Sequence, residues 1–111
     1  MSKIAILVPS RERMNKRLTL IASILTSVKD IDNVNIYLGV DRDDPTLEVA
    51  QKLSKAIPAL KVCIIENEGK FIGLGKMWNI LTEMSTEPII SMIGDDMVFL
   101  TKDWDEQIIR E

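Results

Sequence analysis

Apolar residues occur along this chain in two alternating patterns. Four short continuous runs, Lys3–Pro9 (KIAILVP), Val34–Val40 (VNIYLGV), Leu60–Ile65 (LKVCII) and Ile89–Ile93 (IISMI), have the length and β-branched content of buried strands. Between them the apolar positions recur at spacings of three and four. Leu18, Ile21, Ala22, Leu25 and Val28 trace one helical face within Asn15–Lys29. Val49, Ala50, Leu53 and Ile57 trace a second, with Thr46 as its N-cap and Pro58 as its stop. Gly73–Met84 reads as a third helix, and Lys102–Arg110 as a fourth with Trp104 and Ile108 on one side.

Strands alternating with helices predict an α/β domain: a Rossmann-like three-layer α/β/α sandwich with a mostly parallel sheet, in one domain over residues 1–111. Right-handed crossovers place every strand's C-terminal end on one edge of such a sheet, and ligands bind in the crevice outside those ends. A polar cluster follows each strand: Ser10-Arg11, Asp41-Arg42-Asp43, Asn67-Glu68-Gly69-Lys70 and Asp95-Asp96. Four clusters converging on one edge predict a binding site there. The last helix reaches Glu111 with no C-cap glycine, which fits a truncated or minimal version of such a domain.

Composition narrows the chemistry. With 46% apolar and 28% charged residues the chain is that of a globular protein, and a net charge of -3 argues against a general nucleic-acid binder. There is no histidine, so imidazole bases and imidazole metal ligands are excluded. Any metal is then held by oxygen, which favours magnesium, manganese or calcium over zinc. Cys63, the sole cysteine, lies in an apolar run and reads as a buried structural thiol in a reducing compartment. The N-terminal apolar run is too short for a secretion signal or a membrane span, and the expected location is the cytoplasm.

Asp95-Asp96 carries the most concentrated negative charge, set between apolar runs that read as the end of a buried strand. Adjacent carboxylates repel unless a cation or hydrogen-bond donors compensate them, and a divalent ion does so while also binding phosphate oxygens. A solvated turn would show the same two residues. Asp41 and Asp43 are placed to accept hydrogen bonds from a nucleobase or ribose, or to form an acidic turn in which Asp44 helps start the next helix. Arg11, Arg13, Lys70 and Lys76 offer cations to phosphates. The glycines at 69, 73 and 75 do not make a dinucleotide fingerprint. Trp78 and Trp104 read as packing residues.

Taken together, KIAILVPSRER, NIYLGVDRDD, IIENEGKFIGLGKMWN and IISMIGDDMVF with KDWDE resemble the N-terminal half of GT-A-fold glycosyltransferases, especially the family 2 type. The resemblance spans nearly the whole chain and rests on the order of the motifs. It implies a nucleotide-diphosphate sugar as ligand, with Pro9, Ser10, Arg11 and Asp41 at the nucleobase. It puts Asn67 and Gly69 near the nucleotide, with Lys70 and Lys76 as phosphate partners. It assigns the Mn2+ or Mg2+ that bridges the diphosphate to Gly94-Asp95-Asp96, Asp96 as direct ligand and Asp95 as metal, ribose or water contact. Trp104-Asp105 resembles a Trp-Asp pair that follows this motif in some members. The fuller acidic motif has carboxylates two positions apart, and Ile93 breaks that spacing here.

Two functions follow. One is transfer of a sugar from the nucleotide donor to an acceptor hydroxyl, for which no catalytic base and no particular acceptor can be assigned. The other is a non-catalytic nucleotide-binding or assembly module that keeps only the donor half of the fold, with a homo-oligomer interface covering sheet surface otherwise buried. A nucleotidyltransferase fits less well, because Pro9-Ser10-Arg11-Glu12-Arg13 contains no glycine.

Overall fold

The computed structural model describes residues 3–10, 14–66, 74–94 and 98–110. Four parallel strands, β1 (Ile4–Ser10), β2 (Val34–Asp41), β3 (Leu60–Ile65) and β4 (Ile89–Met92), form one sheet in the order β3-β2-β1-β4. Helices α1 (Met14–Ser27), α2 (Leu47–Ala56), α3 (Leu74–Met84) and α4 (Trp104–Arg110) alternate with them, and a short 3-10 turn at Ile31–Asn33 precedes β2. The expected α/β layering with a parallel sheet is what the chain adopts.

The two-residue period of each strand divides the core. Ile4, Ile6 and Val8 of β1 and Val34, Ile36, Leu38 and Val40 of β2 pack on one face with Leu20, Ile21 and Ile24 of α1, Ala50 of α2 and Trp104 of α4. Ala5, Leu7, Tyr37 and Cys63 face the opposite way, onto Leu81 and Trp78 of α3. Gly39 lies on that second face, where a Cβ would stand 3.2 Å from Leu81 Cδ1. Leu81 is fully buried and has little room to give way. Gly39→Ala is therefore expected to lower stability by about 1 kcal/mol in urea unfolding, an overpacking cost. Burial pushes the Cys63 thiol up to about 11, which keeps it a protonated packing group.

Three readings of burial require correction. In α1 the buried face runs through Arg17, Leu20, Ile21, Ile24 and Ser27, while Leu18, Ala22 and Leu25 are exposed. An apolar-only template misses this face because two of its members are polar, Arg17 held by hydrogen bonds and an ion pair and Ser27 by hydrogen bonds. In α2, Ala50 is buried but Val49 is exposed, and in α4 it is Ile109 rather than the exposed Ile108 that packs on the core. Most consequentially, β4 is not a buried strand. Among the described strands it is the edge next to β1, with Ile90 41% and Met92 52% exposed on the face where α3 packs over β1 and β2.

The segment after β4 returns to α1 through polar contacts. Phe99 N–H donates to Ser23 Oγ at 2.9 Å, Asp103 N–H to the Ser27 carbonyl at 2.7 Å, and Trp104 Nε1–H to Ser27 Oγ at 2.9 Å. The Phe99 and Trp104 rings stack obliquely with centroids 4.5 Å apart. Asp105 is fully buried: Oδ1 accepts from Lys29 N–H at 2.8 Å, and Oδ2 from Asp30 N–H and Asn33 Nδ2, both at 3.1 Å. Burial alone would raise its pKa. The hydrogen bonds from Lys29, Asn33, Asp30 and Glu106 outweigh that effect and hold it below the ordinary carboxylate value.

Candidate functional site

The chain runs β1, β2, β3 in one direction across the sheet and then crosses to β4 on the other side of β1. The switch point therefore lies between β1 and β4, and the crevice beyond their C-terminal ends is where this architecture takes ligands. Ser10 closes β1, Asp41 closes β2 one strand away, and Gly94 follows β4 just after Ile93, whose N–H donates to the Leu7 carbonyl at 3.1 Å. Among the described residues the structure thus brings Pro9, Ser10, Asp41 and Gly94 to one edge. Arg11, Arg13, Asn67, Gly69, Lys70, Asp95 and Asp96 lie outside the described residues. Lys76 is exposed in the first turn of α3.

Ser10 and Asp41 are both buried, at 2% and 0% exposure, and project to opposite faces of the sheet. Ser10 Oγ accepts from Arg17 Nε at 3.0 Å. Arg17 is also fully buried; its Nη1 donates to Thr46 Oγ1 at 2.9 Å and its Nη2 lies 3.6 Å from Asp44 Oδ2. Asp44 Oδ1 in turn accepts from Thr46 N–H at 2.8 Å and Thr46 Oγ1–H at 2.6 Å. Thr46 does not cap α2 through its side chain. Its hydroxyl is occupied within this network instead, and Asp44 shapes the turn. The Asp44 N–H donates to the Asp41 carbonyl at 3.0 Å, which ties the network to the end of β2.

Sequence reading singled out Ser10 and Asp41 and passed over Arg17. Nothing in the sequence marked it, because its partners Ser10 and Thr46 lie 7 and 29 positions away.

On the rim, Arg42 Nε donates to Glu66 Oε1 at 2.9 Å, and the same oxygen pairs with Arg42 Nη2, bridging the exits of β2 and β3. The hydrogen bond from Arg42 lowers the Glu66 pKa, and that pairing raises the pKa of Arg42. Asp43 is exposed beside it. Among the described residues no group of three or more carboxylates or thiols could hold a metal. The donors at this edge are carboxylate oxygens, the chemistry of hard divalent cations.

No family model matches the chain, and neither does any curated protein. Solved structures do. TarS from S. aureus, residues 1–349, superposes with a TM-score of 0.77 at 19% identity over 97% of this chain and 31% of its own. Its complex with UDP-GlcNAc gives 0.76 at 16% identity, over 97% and 30%. The Pyrobaculum calidifontis mannosyltransferase PcManGT, in complex with GDP-Man and Mn2+, gives 0.75 at 13% identity, over 91% and 29%. The fold is the GT-A fold. The chain spans about a third of the length of the GT-A structures it matches. No helix among the described residues is long and apolar enough to cross a membrane.

Proposed function

We propose that this chain is the donor-binding part of a GT-A glycosyltransferase of the family 2 type, holding a nucleotide-diphosphate sugar at the C-terminal edge of its sheet. The observation that carries this reading is a buried carboxylate, Asp41, ending β2 one strand away from a β1/β4 switch point in a GT-A fold. In support, TarS is seen with UDP-GlcNAc and with UDP, and PcManGT with GDP-Man and Mn2+. Asp41 would accept N–H donors of the base. Pro9, Ser10 and Arg11 would wall the base, with Ser10 acting through its backbone because its hydroxyl is turned to Arg17. Asn67, Gly69, Lys70 and Lys76 would meet the ribose and phosphates.

The residues suited to a divalent ion are Asp95 and Asp96, which directly follow Gly94 in the sequence. The donor set is all oxygen in a chain without histidine, and Mn2+ or Mg2+ bound there would neutralise charge on the departing diphosphate. The acceptor would supply a hydroxyl. We place the chain in the cytoplasm on the strength of its lone buried thiol.

A specific observation favours the second reading, a binding or assembly module without turnover, which would include a homo-oligomer. Asp105, the carboxylate of the Trp-Asp pair, is fully buried in backbone hydrogen bonds and unable to reach an acceptor.

Calorimetry with UDP and with GDP, each with and without Mn2+, tests the proposal. Metal-dependent binding by the wild type, lost in Asp96→Ala, is expected. No binding of either nucleotide at millimolar concentration would refute both readings. Mn2+-dependent hydrolysis of a donor sugar would separate enzyme from module.

A further inference from the structure

We propose that Arg17 is a positioning residue of the nucleotide site, holding the exits of β1 and β2 in register from beneath. This rests on the donor-binding reading above. A guanidinium taken wholly out of water is costly unless nearly all its donors are matched, and an apolar residue of similar size at the head of the α1 stripe would avoid that cost. The charge is retained where its partners are the segments that frame the crevice. Nε reaches Ser10 at the last residue of β1, while Nη1 and Nη2 reach Thr46 and Asp44 in the turn after β2.

Through Asp44 the link passes to Asp41, whose carbonyl accepts the Asp44 N–H. One planar group thus spans positions 7 and 29 residues away in sequence. A helical side chain leans back toward its own N-terminus, so a residue one turn into α1 lies under the strand end it follows. Lysine keeps the charge but lacks the flat fork that serves three partners in different directions.

The test uses Arg17→Lys, together with Thr46→Val, which removes the acceptor of Arg17 Nη1 while the guanidinium keeps Ser10 and Asp44 as partners. Asp105→Asn serves as a control that loosens the fold away from the site. Two readouts are taken below the unfolding temperature of every variant: nucleotide affinity, with UDP and GDP plus Mn2+ as probes, and amide hydrogen exchange. In Arg17→Lys the dissociation constant is expected to rise at least tenfold, and exchange at Ser10 and at 42–47 to quicken. Thr46→Val should show a smaller rise in the same direction. Asp105→Asn should leave affinity within twofold and quicken exchange around 29–33 instead.

Wild-type affinity in Arg17→Lys, or no rise in Thr46→Val where Arg17→Lys does not fold, would overturn the proposal. So would unchanged exchange at Ser10 and 42–47. If the wild type binds neither nucleotide, the donor-binding reading falls, and the exchange pattern alone shows whether Arg17 orders the two exits.

Discussion

Asp105→Ala should cost about 3 kcal/mol of unfolding free energy at neutral pH, measured by urea denaturation, because it removes a buried carboxylate from several donors at once. Lys29 N–H, Asp30 N–H and Asn33 Nδ2 all point at it, and none has a comparable acceptor once the side chain is gone. Asp105→Asn keeps the volume but turns an N–H2 group toward donors on one side, so it should cost about 2 kcal/mol. The pH dependence has a definite sign. The folded-state pKa of Asp105 is depressed, so its stabilisation is fully present above the unfolded carboxylate value of about 3.9 and is lost as pH falls through the folded value. The gap between wild type and Asp105→Asn should therefore be widest at neutral pH and narrow below about pH 4. A gap that stays constant from pH 7 to pH 3 would show that the carboxylate's charge contributes nothing.

The largest expected effect on binding is at Asp41. Replacing it by alanine should weaken UDP and GDP by about 10-fold to 100-fold in calorimetry, the worth of roughly 1.5–3 kcal/mol for hydrogen bonds to a charged acceptor. Both bases present ring N–H donors, which a carboxylate oxygen can accept. Mn2+ dependence should survive, since the proposed metal ligands Asp95 and Asp96 are elsewhere. Asp41 is fully buried, so a purely structural role would appear as a lowered Tm with unchanged affinity at low temperature. That outcome would remove Asp41 from the site.

The strands were legible because a buried parallel strand is a short continuous apolar run, and β3 matches its predicted limits, Leu60–Ile65. Sheet order was not legible. The run Ile89–Ile93 looks as apolar as the others, yet position in the sheet comes from crossovers, and β4 falls at an edge. The strand-end location of Ser10 and Asp41 followed from topology alone. Arg17 and Ser27 did not follow, because a polar residue joins a core only when a distant partner is waiting. For Arg17 that partner is the turn at Asp44–Thr46, and for Ser27 it is Trp104, 77 positions on. Asp105 was visible only as half of a Trp-Asp pair carried by resemblance. Its partners at Lys29, Asp30 and Asn33 show that its work is to fasten α4 to the turn that follows α1.

That fastening has a consequence for how the chain reaches its fold. The contacts joining Phe99, Trp104 and Asp105 to the end of α1 and the turn after it close loops of 72 to 77 residues. Non-local closures of this length slow folding, because their entropy is lost before their bonds are gained. On a ribosome the first helix would wait for nearly the last residues of this sequence before Ser23 and Ser27 met their partners. Until then its C-terminal turn would be the loosest part of the nascent domain, and mutations at Trp104 or Asp105 should speed unfolding far more than they slow folding.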